Sequence, residues 1–98
     1  MYYAILGFDG HDVLPLRREL RPAHLLRVEA LRSAGRVLTA GPMPAIDAPD
    51  PGPAGFIGSL LVIDFSSKEE ALAWAAADPY RIGGVWVRIE VHPFIRVF

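Results

Sequence analysis

Residues 56–65 read FIGSLLVIDF and are apolar on both alternating faces of the strand that they predict. A strand with two apolar faces is covered on both sides, so we expect this segment near the centre of the fold. Ser66 and Ser67 follow directly, and Glu69 and Glu70 come within the next turn. A serine N-cap with acidic residues in the first turn predicts a helix over KEEALAWAAA, residues 68–77.

Upstream of this strand, the sequence predicts two further strands separated by a helix. Residues 2–8 and 36–40 are β-prone and each is followed by a turn signal that contains glycine. Residues 14–34 have a helical composition and end at Gly35, a residue type common just after helices. Pro22 leaves two alternatives, a main helix that begins near this proline or a longer helix that it kinks.

The last segment, residues 85–98, alternates in a way that predicts a final strand. His92-Pro93 within it indicates an edge position or a bend, because proline cannot donate to a sheet ladder. The alternation predicts Val85, Val87, Ile89 and Val91 on one face, and Trp86, Arg88, Glu90 and His92 on the other.

The predicted order is strand, helix, strand, strand, helix, strand, which is the ferredoxin-like βαββαβ arrangement of the α+β class. A four-stranded antiparallel sheet then carries both helices on one face and leaves its other face bare. The hydrophobic fraction of 52% is high for 98 residues, and a small domain has much surface to cover. We therefore expect a homodimer in which a second copy covers the bare face.

Composition and charge exclude several classes of protein. The length fits a single domain, 1–98, and a net charge of −1 without a basic run argues against a nucleic-acid partner. Cysteine is absent, which rules out disulfides, thiolate zinc sites and a cysteine nucleophile and fits a cytoplasmic protein. The start lacks the basic region of a signal peptide, and no apolar stretch approaches the ~18 residues of a membrane span, so we expect no membrane partner.

Three histidines and eleven carboxylates are the candidates for acid–base chemistry. His24 stands apart because Val28 and Leu31 follow it at i+4 and i+7, on a face that should point toward the sheet. A lone histidine on an apolar face is more often a structural core residue than a functional one. Arg21, one turn earlier, is either a positive charge near the same place or an ordinary surface arginine.

Asp78 follows the second predicted helix and is followed by Pro79, which predicts a type I turn. A carboxylate at a helix C-terminus faces the negative end of the helix dipole, which costs roughly 0.3–1 kcal/mol. Turn formation offsets that cost, and so does a cationic or proton-sharing partner such as a histidine. Spacing alone does not choose between turn formation and a histidine partner for Asp78.

Ser59 lies in a buried-strand pattern and is interpreted as a strand serine that needs a hydrogen-bond partner.

Several short motifs occur together along most of the chain. They are RPAHL (21–25), TAGPMPA (39–45), DPGPAGFIGS (50–59) and DPY (78–80). In this combination the sequence resembles the YciI family over nearly its whole length, least in the first 20 residues. The resemblance implies a ferredoxin-like dimer of the dimeric α/β-barrel type. It also implies an active site built on a histidine–aspartate pair, and the matching positions are His24 and Asp78.

Three functions fit this combination. The first is a small-molecule enzyme that needs no metal or organic cofactor. His24, held by Asp78, would move a proton in an isomerisation or an elimination, and the wider family includes a dehydrochlorinase. We expect substrate contacts from Arg21, Ser59 and Tyr80, and a lid from the proline-rich residues 43–55. The second is a non-catalytic protein that binds a small ligand in the same pocket. The third is a structural dimer module in which the pair only joins two helices.

Overall fold

The computed structural model describes residues 1–98 and has four strands and three helices. Strands and helices follow one another in the order that the sequence predicts, apart from a short third helix before the last strand. In chain order they are β1 (Tyr2–Asp9), α1 (Leu14–Ser33), β2 (Val37–Pro44), a 3-10 turn (Gly52–Ala54), β3 (Phe56–Asp64), α2 (Lys68–Ala76), α3 (Pro79–Ile82) and β4 (Trp86–Phe94).

The four strands form one antiparallel sheet in the order β2-β3-β1-β4. This confirms the ferredoxin-like arrangement, with β1 and β3 at the centre and β2 and β4 at the edges. The buried core lies between the helices and the sheet. It consists of Tyr3, Ile5, Leu61, Ile63, Phe65, Ala71, Ala75, Tyr80, Val85, Trp86 and Val91.

The sheet face away from the helices, here called the open face, has no such cluster. Its positions follow from the register, because residues paired across strands point to the same side. Leu6 pairs with Leu60 and Glu90, and Ala4 pairs with Val62 and His92. The two leucines are only half-buried in the single chain. The open face is therefore mixed, with apolar side chains from the central strands and polar ones from β4.

The second strand is longer than predicted. The sequence indicates a stop at Gly41-Pro42, but β2 continues to Pro44, where it pairs with Phe56. The strand tolerates Pro42 because it lies at the edge of the sheet and bonds only to β3, so a missing N–H can face away from the ladder. The proline-rich connection is shortened accordingly and contains the 3-10 turn Gly52–Ala54.

The alternation predicted for the last strand is wrong at Val87. Phe8 pairs with Arg88 whereas Asp9 pairs with Trp86, so Val87 is the extra residue of a β-bulge. The bulge reverses the alternation, leaving Val87 60% exposed and Trp86 1% exposed. Gly7 makes room for the indole, since a Cβ at this position would lie 2.2 Å from Trp86.

The first helix is a single element of 20 residues with Pro22 inside it. This resolves the alternatives left by the sequence in favour of one long helix, with Pro22 on its exposed side. Ser67 caps α2 by accepting from the N–H of Glu70, as predicted. None of the three helices is long and apolar enough to cross a membrane.

Candidate active site

His24 and Asp78 meet in the interior although 54 residues separate them in the chain. The Nδ1 atom of His24 lies 3.0 Å from Oδ1 and 2.9 Å from Oδ2 of Asp78. His24 is 7% exposed and Asp78 is 0% exposed. The histidine comes from the sheet-facing side of α1, and the aspartate from the junction between α2 and α3.

Asp78 is positioned by the start of α3. Its Oδ1 accepts a hydrogen bond of 2.9 Å from the N–H of Tyr80, which makes Asp78 the N-cap of this helix, with Pro79 at the first helical position. The predicted turn is thus the first turn of a short helix, closed by a bond from the N–H of Arg81 to the carbonyl of Asp78. The unfavourable interaction of the carboxylate with the C-terminus of α2 is offset, because the carboxylate accepts a hydrogen bond from the N–H of Tyr80 at the start of α3.

Arg27 supplies a third donor to the buried carboxylate. Its Nη1 lies 3.1 Å from Oδ2 of Asp78, and its Nη2 donates to the carbonyl of Trp74 at 2.9 Å. The guanidinium also lies over the indole of Trp74, 4.4 Å from the ring centroid. Asp78 therefore has a histidine, an arginine and a backbone N–H as partners, which satisfies a buried carboxylate.

The imidazole of His24 is held by aromatic neighbours as well as by the carboxylate. It stacks on Tyr80 at a centroid distance of 4.3 Å and an angle of 21°, and Trp86 approaches it edgewise at 5.6 Å. An ionised carboxylate only accepts hydrogen bonds, so Nδ1 must carry the proton in this pair. In the neutral ring Nε2 is then the free base.

A cavity of about 360 Å³ lies beside the histidine, between α1 and strands β2 and β3; we call it the His24 cavity. Its lining includes His24 and the three residues expected to contact a substrate, Arg21, Ser59 and Tyr80. Asp78 is absent from the lining and lies behind the imidazole. The histidine thus separates the aspartate from the cavity.

The predicted lid is wrong, because residues 43–55 do not line the His24 cavity. The extended β2–β3 hairpin carries this connection to the start of α1, where a Cβ on Gly55 would touch Leu14. Gly52 to Gly55 line a second cavity of about 580 Å³ there. That cavity contains neither His24 nor Asp78.

Arg17 is a residue of the His24 cavity that the sequence analysis missed. It is 5% exposed, and its Nε lies 3.0 Å from Oδ2 of Asp9, at an angle that makes an ion pair but no hydrogen bond. Its Nη2 donates to Oγ of Ser59 at 2.6 Å and to the carbonyl of Gly58 at 3.1 Å. Its guanidinium lies 4.7 Å from the centroid of the Tyr80 ring.

Burial affects two of these groups directly. It raises the pKa of Asp9, against a smaller lowering by Arg17. It also raises the pKa of Tyr80, against smaller lowering effects of Arg17 and Arg21, so the phenol stays protonated at neutral pH.

No three His, Cys, Asp or Glu side chains converge in a way that could hold a metal ion.

A signal for Arg17 was present in the sequence. Arg17, Arg21, His24 and Val28 follow one another at i, i+4, i+7 and i+11, which is one face of a helix. Arg27, three residues after His24, had the weaker signal of an i+3 neighbour. Asp9 had none, because its partner depends on how the end of β1 crosses α1.

The family model of the YCII-related domain matches residues 1–95. The chain is 52% identical to Protein YciI of Escherichia coli O6:H1 over 98 residues, which is 100% of both chains. It is 44% identical, with the same full coverage, to an uncharacterized protein of Haemophilus influenzae.

A solved structure with the same fold is the 5-chloro-2-hydroxyhydroquinone dehydrochlorinase (TftG) of Burkholderia phenoliruptrix AC1100, in complex with 2,5-dihydroxybenzoquinone. It superposes with a TM-score of 0.85 at 22% sequence identity, covering 97% of this chain and 94% of that one. At this identity the likeness concerns the fold alone. The family match along nearly the whole sequence and the full-length identity to Protein YciI go further. This chain belongs to the YCII-related domain family.

Proposed function

We propose that this chain acts as one domain, 1–98, that catalyses proton transfer on a small molecule by acid–base chemistry without a cofactor. The observation that carries the proposal is the bond of His24 Nδ1 to a fully buried carboxylate, while the same ring lines an open cavity. Asp78 positions the imidazole and selects its tautomer. His24 is the group that would touch the substrate.

In the proposed reaction, Nε2 of His24 removes a proton from a carbon of the bound molecule. In an elimination, the electron pair of the broken C–H bond forms a new C=C bond, and a leaving group departs from the adjacent carbon with its own bonding pair. In an isomerisation, the imidazolium returns the proton to a different carbon. The stacked ring of Tyr80 and the edge of Trp86 hold the plane of the imidazole beside the cavity.

The test is hydrogen–deuterium exchange at carbon. Cyclic lactones and halogenated phenols are incubated with the protein in D2O, and deuterium incorporation or loss of a leaving group is followed by NMR. We expect wild type to catalyse exchange, and His24→Gln and His24→Asn to lose it. Asp78→Asn should retain part of the exchange, because the base remains but its tautomer and direction are no longer held. Binding of these compounds without exchange in the wild type would instead make the chain a ligand-binding protein.

The tautomer provides a second test, which needs no substrate. A long-range ¹H–¹⁵N correlation spectrum distinguishes Nδ1–H from Nε2–H in a neutral imidazole. We expect His24 to be in the Nδ1–H form in wild type and to lose this preference in Asp78→Asn. His11 and His92 are exposed and serve as internal controls in the same spectrum. An Nε2–H form of His24 in wild type would contradict the role given to Asp78.

We further propose that two copies associate through the open face. Leu6 and Leu60 lie at its centre, and Phe98 at the end of the exposed tail after β4 is fully exposed. Burial of such a mixed apolar face is what an isologous dimer provides. We expect light scattering to give twice the mass of 10.8 kDa. Leu60→Lys should shift the protein to one copy, whereas Leu26→Lys, a change at a 72% exposed position of α1, should not.

A further inference from the structure

The polar groups that line the His24 cavity are mostly cations and hydrogen-bond donors. No Asp or Glu side chain lines it. The polar side chains that do are Arg17, Arg21, His24, Arg32, Thr39 and Ser59, together with the phenol of Tyr80. A ligand rich in hydrogen-bond acceptors and in negative charge complements such a lining.

Only one of the three arginines carries an unpaired charge. Arg17 is paired with Asp9 at 3.0 Å, and Arg32 is paired with Glu29 at 2.7 Å. Arg21 forms no ion pair, although it lies one helical turn before His24 on the same face of α1. The free positive charge of the cavity therefore lies next to the imidazole.

Ser59 adds a directed donor. Its Oγ accepts the bond of 2.6 Å from Arg17, so its own O–H remains free to donate. Ser59 is 4% exposed and lies on the cavity side of β3. Because Arg17 is itself fixed by Asp9 and by the carbonyl of Gly58, the hydroxyl is held in position before a ligand arrives.

The remaining wall is apolar. Leu25 and Val28 of α1 face Val37, Leu38 and Leu61 of the sheet. A volume of about 360 Å³ is at the small end of the range for ligand sites. The cavity therefore combines one charged corner with an apolar body of limited size.

We propose that the His24 cavity binds a small organic oxyanion on an apolar frame, with Arg21 as its counter-ion and the Ser59 hydroxyl as a donor to the same oxygen group. The oxyanion is a carboxylate or an ionised phenol or enol, since both present the same acceptor oxygen. This inference deepens the proposed function, because it sets the acidic carbon of the substrate next to an oxyanion and within reach of His24. Binding itself requires no turnover.

The probes are benzoate, 4-nitrophenolate and the neutral benzamide, added separately to ¹⁵N-labelled wild-type protein and followed by amide chemical shifts. We expect both anions to shift the amide signals of Ser59, Tyr80 and Leu61, and benzamide to bind at least tenfold more weakly, because it carries no charge that pairs with Arg21. Tighter binding of benzoate identifies the carboxylate form as preferred, and tighter binding of 4-nitrophenolate identifies the phenolate form.

Arg21→Gln should weaken both anions at least tenfold, and Arg21→Lys should restore part of the affinity. Arg18→Gln is the matched control, since Arg18 is exposed on the same helix but lies outside the His24 cavity, and it should change the affinity less than twofold. Equal affinity for benzamide, an unchanged affinity in Arg21→Gln, or no shift of cavity amides with either anion would overturn the proposal. Anion binding without deuterium exchange at any tested carbon would leave this inference standing and remove the proposed catalysis.

Discussion

Two aspartates are buried beside α1, and their surroundings differ. Asp78 receives donors from His24, Arg27 and the N–H of Tyr80, so the buried carboxylate is satisfied. Asp9 has an ion-pair partner for Oδ2 in Arg17, but its Oδ1 is buried without any partner. Both carboxylates are close to an arginine of the same helix, and both side chains are at most 3% exposed.

The difference shows what each aspartate is suited to do. Three donors from two elements, His24 and Arg27 of α1 and the N–H of Tyr80 in α3, hold Asp78 in one orientation, which suits a group that must fix the direction of another side chain. Asp9 is held from one side only, and burial raises its pKa. Asp9 does not line the cavity itself. It pairs with Arg17, which in turn donates a hydrogen bond to Ser59, so Asp9 acts on the cavity only through these two residues. The following substitutions test this contrast, from the largest expected effect to the smallest.

Asp78→Ala should have the largest effect on stability. It removes the partner of Arg27 and of the Tyr80 N–H at once, and breaking a buried charged pair of this kind costs about 3 kcal/mol. Chemical denaturation of both proteins measures the loss in the free energy of unfolding. Asp47→Ala is the control, since Asp47 is exposed and should change stability by less than about 0.5 kcal/mol. A loss in Asp78→Ala no larger than this control would contradict the satisfied network.

Asp9→Ala should cost less, about 2 kcal/mol, because one oxygen of this carboxylate is already unpaired while the guanidinium of Arg17 is left buried. A denaturation experiment on the double variant Asp9→Ala with Arg17→Met separates the loss of the carboxylate from the cost of leaving the Arg17 guanidinium buried without a partner. The double variant should be less destabilised than the sum of the single variants, since an apolar pair leaves no buried charge. Simple additivity would mean that the two side chains do not interact.

Arg27→Met should cost about 1.5 kcal/mol, because the protein loses the hydrogen bonds of the guanidinium to Asp78 and to the carbonyl of Trp74. Asp78 keeps two of its three donors, and the methionine keeps contact with Trp74 in place of the guanidinium. The midpoint of urea unfolding is the measurement. A loss as large as that of Asp78→Ala would show that the arginine alone, and not the set of donors, holds the aspartate.

Asp9→Asn should have the smallest effect, because the amide oxygen still offers Arg17 a polar partner, and its signature is a change in the pH dependence of stability. Burial raises the pKa of Asp9 above its ordinary value of 3.8, so the folded state holds this proton more tightly than the unfolded chain. The resulting stabilisation is fully present below the ordinary pKa and is lost as the pH rises through the folded value. Wild type should therefore lose stability relative to Asp9→Asn as the pH increases across this range. A difference between the two proteins that stays constant with pH would contradict the raised pKa.

Much of the fold followed from local patterns. The two-faced apolar strand, the serine cap before α2 and the glycine after α1 indicated the order of the main elements without any long-range information. Helix α3 was missed because four residues are too few to show a period, although Asp78-Pro79 carries the signature of an N-cap and first helical position. The bulge at Val87 was missed because an alternating sequence gives no sign of an extra residue.

Some residues of the candidate site could likewise be found from the sequence, and others could not. His24 was singled out by its position on an apolar helical face, and Asp78 by its turn, but only the family resemblance joined them. Arg17 lies in the same helical pattern as His24, and Arg27 follows His24 by three residues; both were overlooked, since a surface arginine and a buried one look alike in sequence. The expectation that residues 43–55 form a lid was wrong, because the position of this connection depends on the length of β2, which the sequence did not reveal.

The sequence by itself determined the order of elements, the face of α1 that carries His24, and the family. These are properties of neighbouring residues, since periodicity, capping and turn chemistry act within a few positions. Only the tertiary structure decided that the carboxylate of Asp78 turns to Nδ1 of His24, that Arg17 is bound by Asp9, and that Arg21 remains unpaired. The two contacts join residues from different parts of the fold, and whether a charge on α1 meets a partner depends on the same placement. Their energies depend on burial and on distances of about 3 Å, which arise only when the helices are placed on the sheet.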